Sequence, residues 1–209
     1  MLILASRSPR RCDLLRQAGY DFQVIPADEE AEDQRKPCES PSDLVQRLAE
    51  QKAKNVAAKI VEMQTCTTNP QRDEYSCTTK LRWDDTIVVL GCDTVVSLGG
   101  TIFGKPSDRE NAGEILRALS GRKHTVLTGV ALMTLPTGNL VSDFACTELF
   151  MKNLTDAQIE EYLDTGLWNG KAGAFGYQDR NDWLQIIDGS ESNVVGLPLE
   201  LLHNILRST

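Results

Sequence analysis

Only two histidines, His124 and His203, occur in the 209 residues. That scarcity nearly excludes a multi-histidine metal site or a histidine-based triad, so chemistry has to rest on carboxylates, lysines and arginines. The six cysteines, Cys12, Cys38, Cys66, Cys77, Cys92 and Cys146, include no C-x-x-C pair. A zinc site is therefore not expected, and scattered thiols suit packing roles in a reduced, cytoplasmic setting. No apolar run approaches the length of a membrane span, and the opening MLILA lacks the basic flank and the length of a secretory signal. The phosphate loop G-x-x-x-x-G-K-[ST] is absent as well. Positive charge is in deficit: 22 Lys and Arg face 30 Asp and Glu, for a net charge of −8. This argues against nucleic-acid and membrane partners and makes any basic cluster a local device suited to a small anion.

What is present reads as alternating strands and helices. Leu2–Ala5 is predicted as a strand and Pro9–Ala18 as a helix, with Ser8 at the N-cap, Pro9 at the first helical position and Gly19 just past the end. Phe22–Ile25 follows as a second strand, then the acidic loop ADEEAEDQRKP. A long helix starts near Ser40 or Ser42 and runs to Met63, with Leu44, Val45, Leu48, Val56 and Ile60 at helical spacing. Residues 64–84 are polar and aperiodic and are expected to form an inserted surface loop. TIVVLG predicts a short buried strand that ends at Asp93, ahead of a hairpin about Gly99-Gly100. A helix over 108–119, two long antiparallel strands around PTGN, a helix capped by Thr155, the strand WLQIID and a closing helix over 197–206 complete the chain. The expected class is α/β or mixed α+β, one domain over 1–209 with two lobes around a cleft.

Several stretches invite chemistry. In SRSPRR, at a strand-to-helix junction, Ser6, Ser8 and the first free N–H groups of the helix can face an anion, and Arg10 and Arg11 add planar forks that match phosphate. The same residues also fit a capped helix with two solvated arginines. Asp93, in GCDTVV, can bind Mg²⁺ or take a proton from water, or it can simply bond its own turn. Lys52 shares its helix with Lys54 and Lys59 and fits a solvated face; Lys105, before a proline, is biased toward an extended conformation. In NGKAGAFGYQD the dense glycines allow close backbone approach to a ligand, and Gln178 can present an amide to a base edge. His124 is expected to be structural.

In order along the chain, LASRSPRR, LAEQKAK, GCDTVV, GKP, LSGRKHTVLTGV, KAGAFGYQ and IDGSESNVVGLP resemble the Maf family of nucleotide pyrophosphatases. The resemblance implies a mixed fold similar to the inosine triphosphate pyrophosphatases. The implied reaction cleaves nucleoside triphosphates between the α and β phosphates with Mg²⁺ or Mn²⁺. It places the catalytic aspartate on Asp93, specificity-related positions on Arg10, Thr94 and Gln178, and phosphate contacts on Arg11, Lys52 and Lys105. SPRR together with Gln178 resembles the dTTP/UTP-type branch; the branch acting on 7-methyl-GTP tends to carry an aromatic residue in the first motif. The family's dimers imply a homodimer, and a non-enzymatic nucleotide-binding regulator of division is the competing class. Three departures stand out. Lys52 and Asp93 are separated by a longer stretch than the family usually shows. GYQD replaces the usual GIQG. The family's metal-associated glutamate falls on Ala31, leaving Glu30 or Glu32 to join Asp93 at the metal.

Overall fold

The computed structural model describes residues 1–28, 36, 38–66, 86–179 and 182–208. Its seven-stranded mixed sheet runs in the order β2-β1-β3-β5-β6-β7, with β4 (Thr101–Phe103) paired to β3. β1 (Leu2–Leu4) is parallel to β2 (Phe22–Val24) and to β3 (Ile87–Leu98), while β3, β5 (Lys123–Leu135), β6 (Asn139–Met151) and β7 (Leu184–Asp188) are successively antiparallel. The class is mixed α/β, as the sequence suggests.

Two layers cover the sheet. On one face lies α2 (Pro41–Cys66), whose stripe Val45, Leu48, Ala49, Ala53, Val56 and Ile60 is buried against β3 and β5. Fully burying each large aliphatic side chain contributes roughly 1.5–3 kcal/mol. The contact is close because two strands lack a side chain beneath the helix. A Cβ on Gly91 would stand 2.1 Å from the Ala49 carbonyl oxygen, and one on Gly129 would stand 2.2 Å from that of Val45. The opposite face packs α1 (Pro9–Gln17) and α6 (Leu199–Ser208) around Leu4, Leu90, Val130 and Leu132. Farther along the same face, α3 (Arg109–Leu119) and α4 (Asp156–Asp164) pack around Val96, Val126, Leu149 and Met151.

Helix starts follow their predicted caps in part. Thr155, the predicted cap of α4, forms a full capping box with Gln158, while Asp108, expected as the first residue of its helix, caps α3 instead by accepting from the Asn111 amide. Ser8 sits at the N-cap of α1, yet its side chain makes no capping bond.

Three expectations need correction. The long helix continues three residues beyond Met63, so the backbone of 64–66 belongs to α2 and not to a loop; the rest of the 64–84 excursion lies outside the described residues. Asp93 does not end a strand: β3 runs unbroken for 12 residues because β5 pairs with it from Ile87 to Ser97. The cysteines are not all packing residues, since Cys12 and Cys92 are buried whereas Cys38 and Cys146 are exposed free thiols. A short helix, α5 (Glu191–Val195), also forms where no element was expected.

Candidate active site

β3 has β5 along one edge throughout, but its other edge changes partner. β1 reaches only as far as Leu90, and β4 (Thr101–Phe103) begins pairing at Val96. Gly91 to Val95 therefore face a gap in the sheet, and the chain leaving β1 turns there into the N-terminus of α1. A cleft of about 470 Å³ opens at this gap, in the size range of small-molecule sites. Ser6, Ser8, Arg10, Arg11, Lys52, Asp93, Thr94, Lys105 and Gln178 all line it. Sequence positions up to 172 residues apart thus meet in one place. Glu30 and Glu32, the expected metal carboxylates, lie outside the described residues.

Asp93 and Thr94 are adjacent in a strand and so point to opposite faces. Asp93 faces α2, where Lys52 Nζ donates to Oδ1 at 2.6 Å and approaches the Cys92 carbonyl at 3.5 Å. Both residues are more than nine-tenths buried, at 7% and 8% exposure. Lys52 is not on a solvated face. It occupies the apolar stripe of α2, four residues after Leu48 and four before Val56, and the close seat over Gly91 brings its ammonium to the carboxylate. The Asp93 Oδ2 receives no hydrogen bond from the described residues.

Thr94 points to the α1 face. Its hydroxyl accepts from Arg11 Nη2 at 3.0 Å and shares a bond with Thr128. Arg11 is itself buried, donating also from Nε to the Gly196 carbonyl (2.7 Å) and from Nη1 to Ser6 Oγ (3.1 Å). It braces α1, β3 and the α5 turn, with two of its five N–H bonds left over. Arg10 is half-buried and donates from Nη2 to the Gly170 carbonyl at 3.2 Å. Burial and then the neighbouring Arg11 push its pKa down, while Asp179 and Tyr162 pull it back up. With Ser8 uncapping and Pro9 lacking an N–H, the amides of Arg10 and Arg11 keep the donor capacity of a helix start.

Lys105 and Gln178 are exposed at the rim. The Gly173 amide bonds the Gly104 carbonyl at 3.0 Å, tying the glycine-rich segment to the turn that carries Lys105. Gly173 has φ +72°, and a Cβ there would meet Val96 at 2.6 Å, so this approach needs glycine. His124 lines the cleft too, its Nδ1 3.3 Å from the Arg122 carbonyl; burial lowers its pKa, partly offset by that contact.

Sequence reasoning missed two participants, Lys171 and Tyr162, whereas Asp28 belongs to the acidic run already considered as a source of a second metal carboxylate. Lys171 lines the cleft and pairs with Asp179, which also accepts from Tyr162. The aspartate in GYQD was noticed only as a departure; its partner eight residues earlier was the available signal. Asp28 also lines the cleft, held by Lys59 and Asn55. Overall an acidic chain presents Arg7, Arg10, Arg11, Lys52, Lys105 and Lys171 to a space that holds the carboxylates Asp28 and Asp93.

A family model described as Maf-like protein matches residues 1–209. The chain belongs to the Maf family. Among curated relatives of this Maf-like chain, a dTTP/UTP pyrophosphatase of Rhodopirellula baltica is 47% identical over 99% of the chain and 81% of its own length. Proteins of that same description from Clostridium botulinum and Elusimicrobium minutum are 37% and 36% identical, covering 95% and 97% of their own lengths. The Maf-like chain has no helix among its described residues long and apolar enough to cross a membrane.

Proposed function

We propose that this Maf-like chain is a nucleoside triphosphate pyrophosphatase that converts dTTP and UTP to the monophosphate and pyrophosphate. The observation that carries the reading is the buried Lys52–Asp93 pair at the sheet gap, opening into a cation-lined cleft at the start of α1. The relatives named dTTP/UTP pyrophosphatase support the choice of substrate.

A triphosphate carries about four negative charges, and the main electrostatic task is to spread cations around it. Lys52, Lys105 and the α1 amides would take phosphate oxygens, with the spare Arg11 donors behind them. Asp93, fixed through Oδ1 by Lys52, offers Oδ2 to the reacting centre. Water attacks the α-phosphorus, its proton passes to a carboxylate, and the bond to the β-bridging oxygen breaks with its electron pair leaving on pyrophosphate. Among the described residues no group of three or more His, Cys, Asp or Glu is arranged to hold a metal ion by itself. The carboxylates present, Asp93 and Asp28, nevertheless suit Mg²⁺ or Mn²⁺, which take oxygen donors and complete their shells with phosphate and water. Such an ion, when bound, would supply charge neutralisation at the phosphates. A cytoplasmic setting and a homodimer belong to the same reading.

The test is pyrophosphate release from dTTP, UTP, CTP, GTP, ATP and 7-methyl-GTP, with Mg²⁺ or Mn²⁺ and with chelator. Metal-dependent release led by dTTP and UTP is expected. A lead by 7-methyl-GTP would overturn the substrate, and no release from folded protein would overturn the enzyme.

A further inference from the structure

The glycine-rich segment closes on itself. Lys171 Nζ donates to both Asp179 oxygens at 2.5 Å, and the pair is about as buried as Lys52–Asp93, with side-chain exposures of 10% and 9%. Asp179 Oδ2 also accepts from Tyr162 of α4 at 2.5 Å and from the Gly176 amide at 3.2 Å. Tyr162 is packed in turn against Phe175 and Trp183, with ring centroids 5.4 and 5.5 Å away. The candidate base-reading groups attach next to the two poles of this ion pair. Arg10 bonds the carbonyl of Gly170, the residue before Lys171, and Gln178 is the residue before Asp179.

That placement bears on a problem in base selection. Uracil and thymine present an acceptor at O4 and a donor at N3, whereas cytosine presents a donor at N4 and an acceptor at N3. A carboxamide satisfies either pattern by turning half a revolution, because it has both a donor and an acceptor end. An amide alone therefore cannot discriminate. A donor-only guanidinium at a fixed distance from it can, since it donates to O4 and leaves the cytosine amino group unpaired against donors.

We propose that the Lys171–Asp179 pair, anchored by Tyr162, is a positioning clamp that sets the separation of Arg10 and Gln178 and so selects uracil and thymine nucleotides over cytosine nucleotides. The inference rests on the pyrophosphatase reading and deepens it. Asp179 and Tyr162 do not line the cleft, so they act through the groups they hold. Asp179 also counters the crowding of cations beside Arg10.

The experiment measures kcat/KM for UTP and CTP in the full chain, with folding checked by thermal unfolding. Asp179→Asn, which keeps the shape and removes the charge, is expected to lower the UTP/CTP ratio about tenfold, the scale of a lost discriminating contact. Tyr162→Phe removes one donor and is expected to lower it about threefold. Lys171→Arg keeps the ion pair and should retain most of the selectivity. A purely structural role would reduce both kcat/KM values by a common factor and leave the ratio unchanged; an unmoved ratio in Tyr162→Phe overturns the clamp, even if Asp179→Asn fails to fold. A wild-type protein inactive on both nucleotides would overturn the pyrophosphatase reading and the clamp with it, whereas an active wild type with unmoved variant ratios overturns the clamp alone.

Discussion

Two buried lysine–aspartate pairs border one cleft, alike in chemistry and exposure but unlike in construction. Lys52–Asp93 joins residues 41 apart in sequence and ties the middle of α2 to the middle of β3. Lys171–Asp179 joins residues eight apart and closes a glycine-rich loop with two short 3₁₀ turns. The first pair cannot shift unless α2 lifts from the sheet. The second can shift at local cost. Groups that must meet reacting atoms within a fraction of an ångström are best held by regular elements, while a selectivity element can sit on a loop that a few substitutions retune.

The comparison breaks first at Asp93. Asp93→Asn should lower kcat on the order of 10²-fold or more, the scale of a lost base or metal ligand, measured in steady state with Mg²⁺. Near-normal turnover would remove the strand-borne pair from the chemistry. Lys52→Met tests the same pair from the other side. It leaves a buried carboxylate unpaired and should cost about 3–5 kcal/mol in urea unfolding.

Gly91→Ala asks whether the seat of α2 matters. The new methyl group would meet the Ala49 carbonyl oxygen at 2.1 Å, so the helix must move. A loss of about 1–3 kcal/mol in stability is expected, together with a lower kcat and an unchanged UTP/CTP ratio. A changed ratio with normal kcat would show that the two ends of the cleft are not separable in this way. Lys105→Ala, at the exposed rim, should raise KM for UTP about tenfold through one lost charge-assisted contact and leave thermal stability unchanged. Unaltered KM and kcat would return Lys105 to the solvated surface.

How legible all this was depends on what kind of signal each residue leaves. Long β5 and β6 announce themselves through runs of apolar residues around a turn, and α4 through Thr155 and Gln158. Lys52 is legible as a phosphate contact only through its motif; charge alone suggests a solvated face, whereas its spacing from Leu48 and Val56 puts it in the buried stripe. Asp93 was identified by motif yet misplaced at a strand end, since nothing local in GCDTVV tells that β5 carries the strand onward. Arg11 looked like a phosphate fork, and its bonds to Ser6, Thr94 and Gly196 depend on segments far away in the chain. Tyr162 was invisible for the same reason, as its partner Asp179 is brought to it by packing and not by periodicity.

A third, partly buried pair sharpens the contrast at its mildest. Arg47, five residues before Lys52 in α2, donates from Nε and Nη2 to the two oxygens of Glu39 at 2.6 and 2.8 Å, tying the start of the helix to the preceding chain. The Arg47 bonds hold the Glu39 carboxyl down from 4.5 to about 2. A depressed folded-state pKa means that this contribution to stability is complete above pH 4.5 and is lost as the pH falls from there toward 2. Glu39→Gln should therefore lower stability at neutral pH and flatten the fall in stability across that acid window, read from urea midpoints at successive pH values. Neither Glu39 nor Arg47 lines the cleft, so kcat and the UTP/CTP ratio at neutral pH should stay as in the wild type. A slope as steep as the wild type's would mean that the pair does not secure α2, and the rigidity assigned to the Lys52 end would then rest on the Gly91 and Gly129 contacts alone.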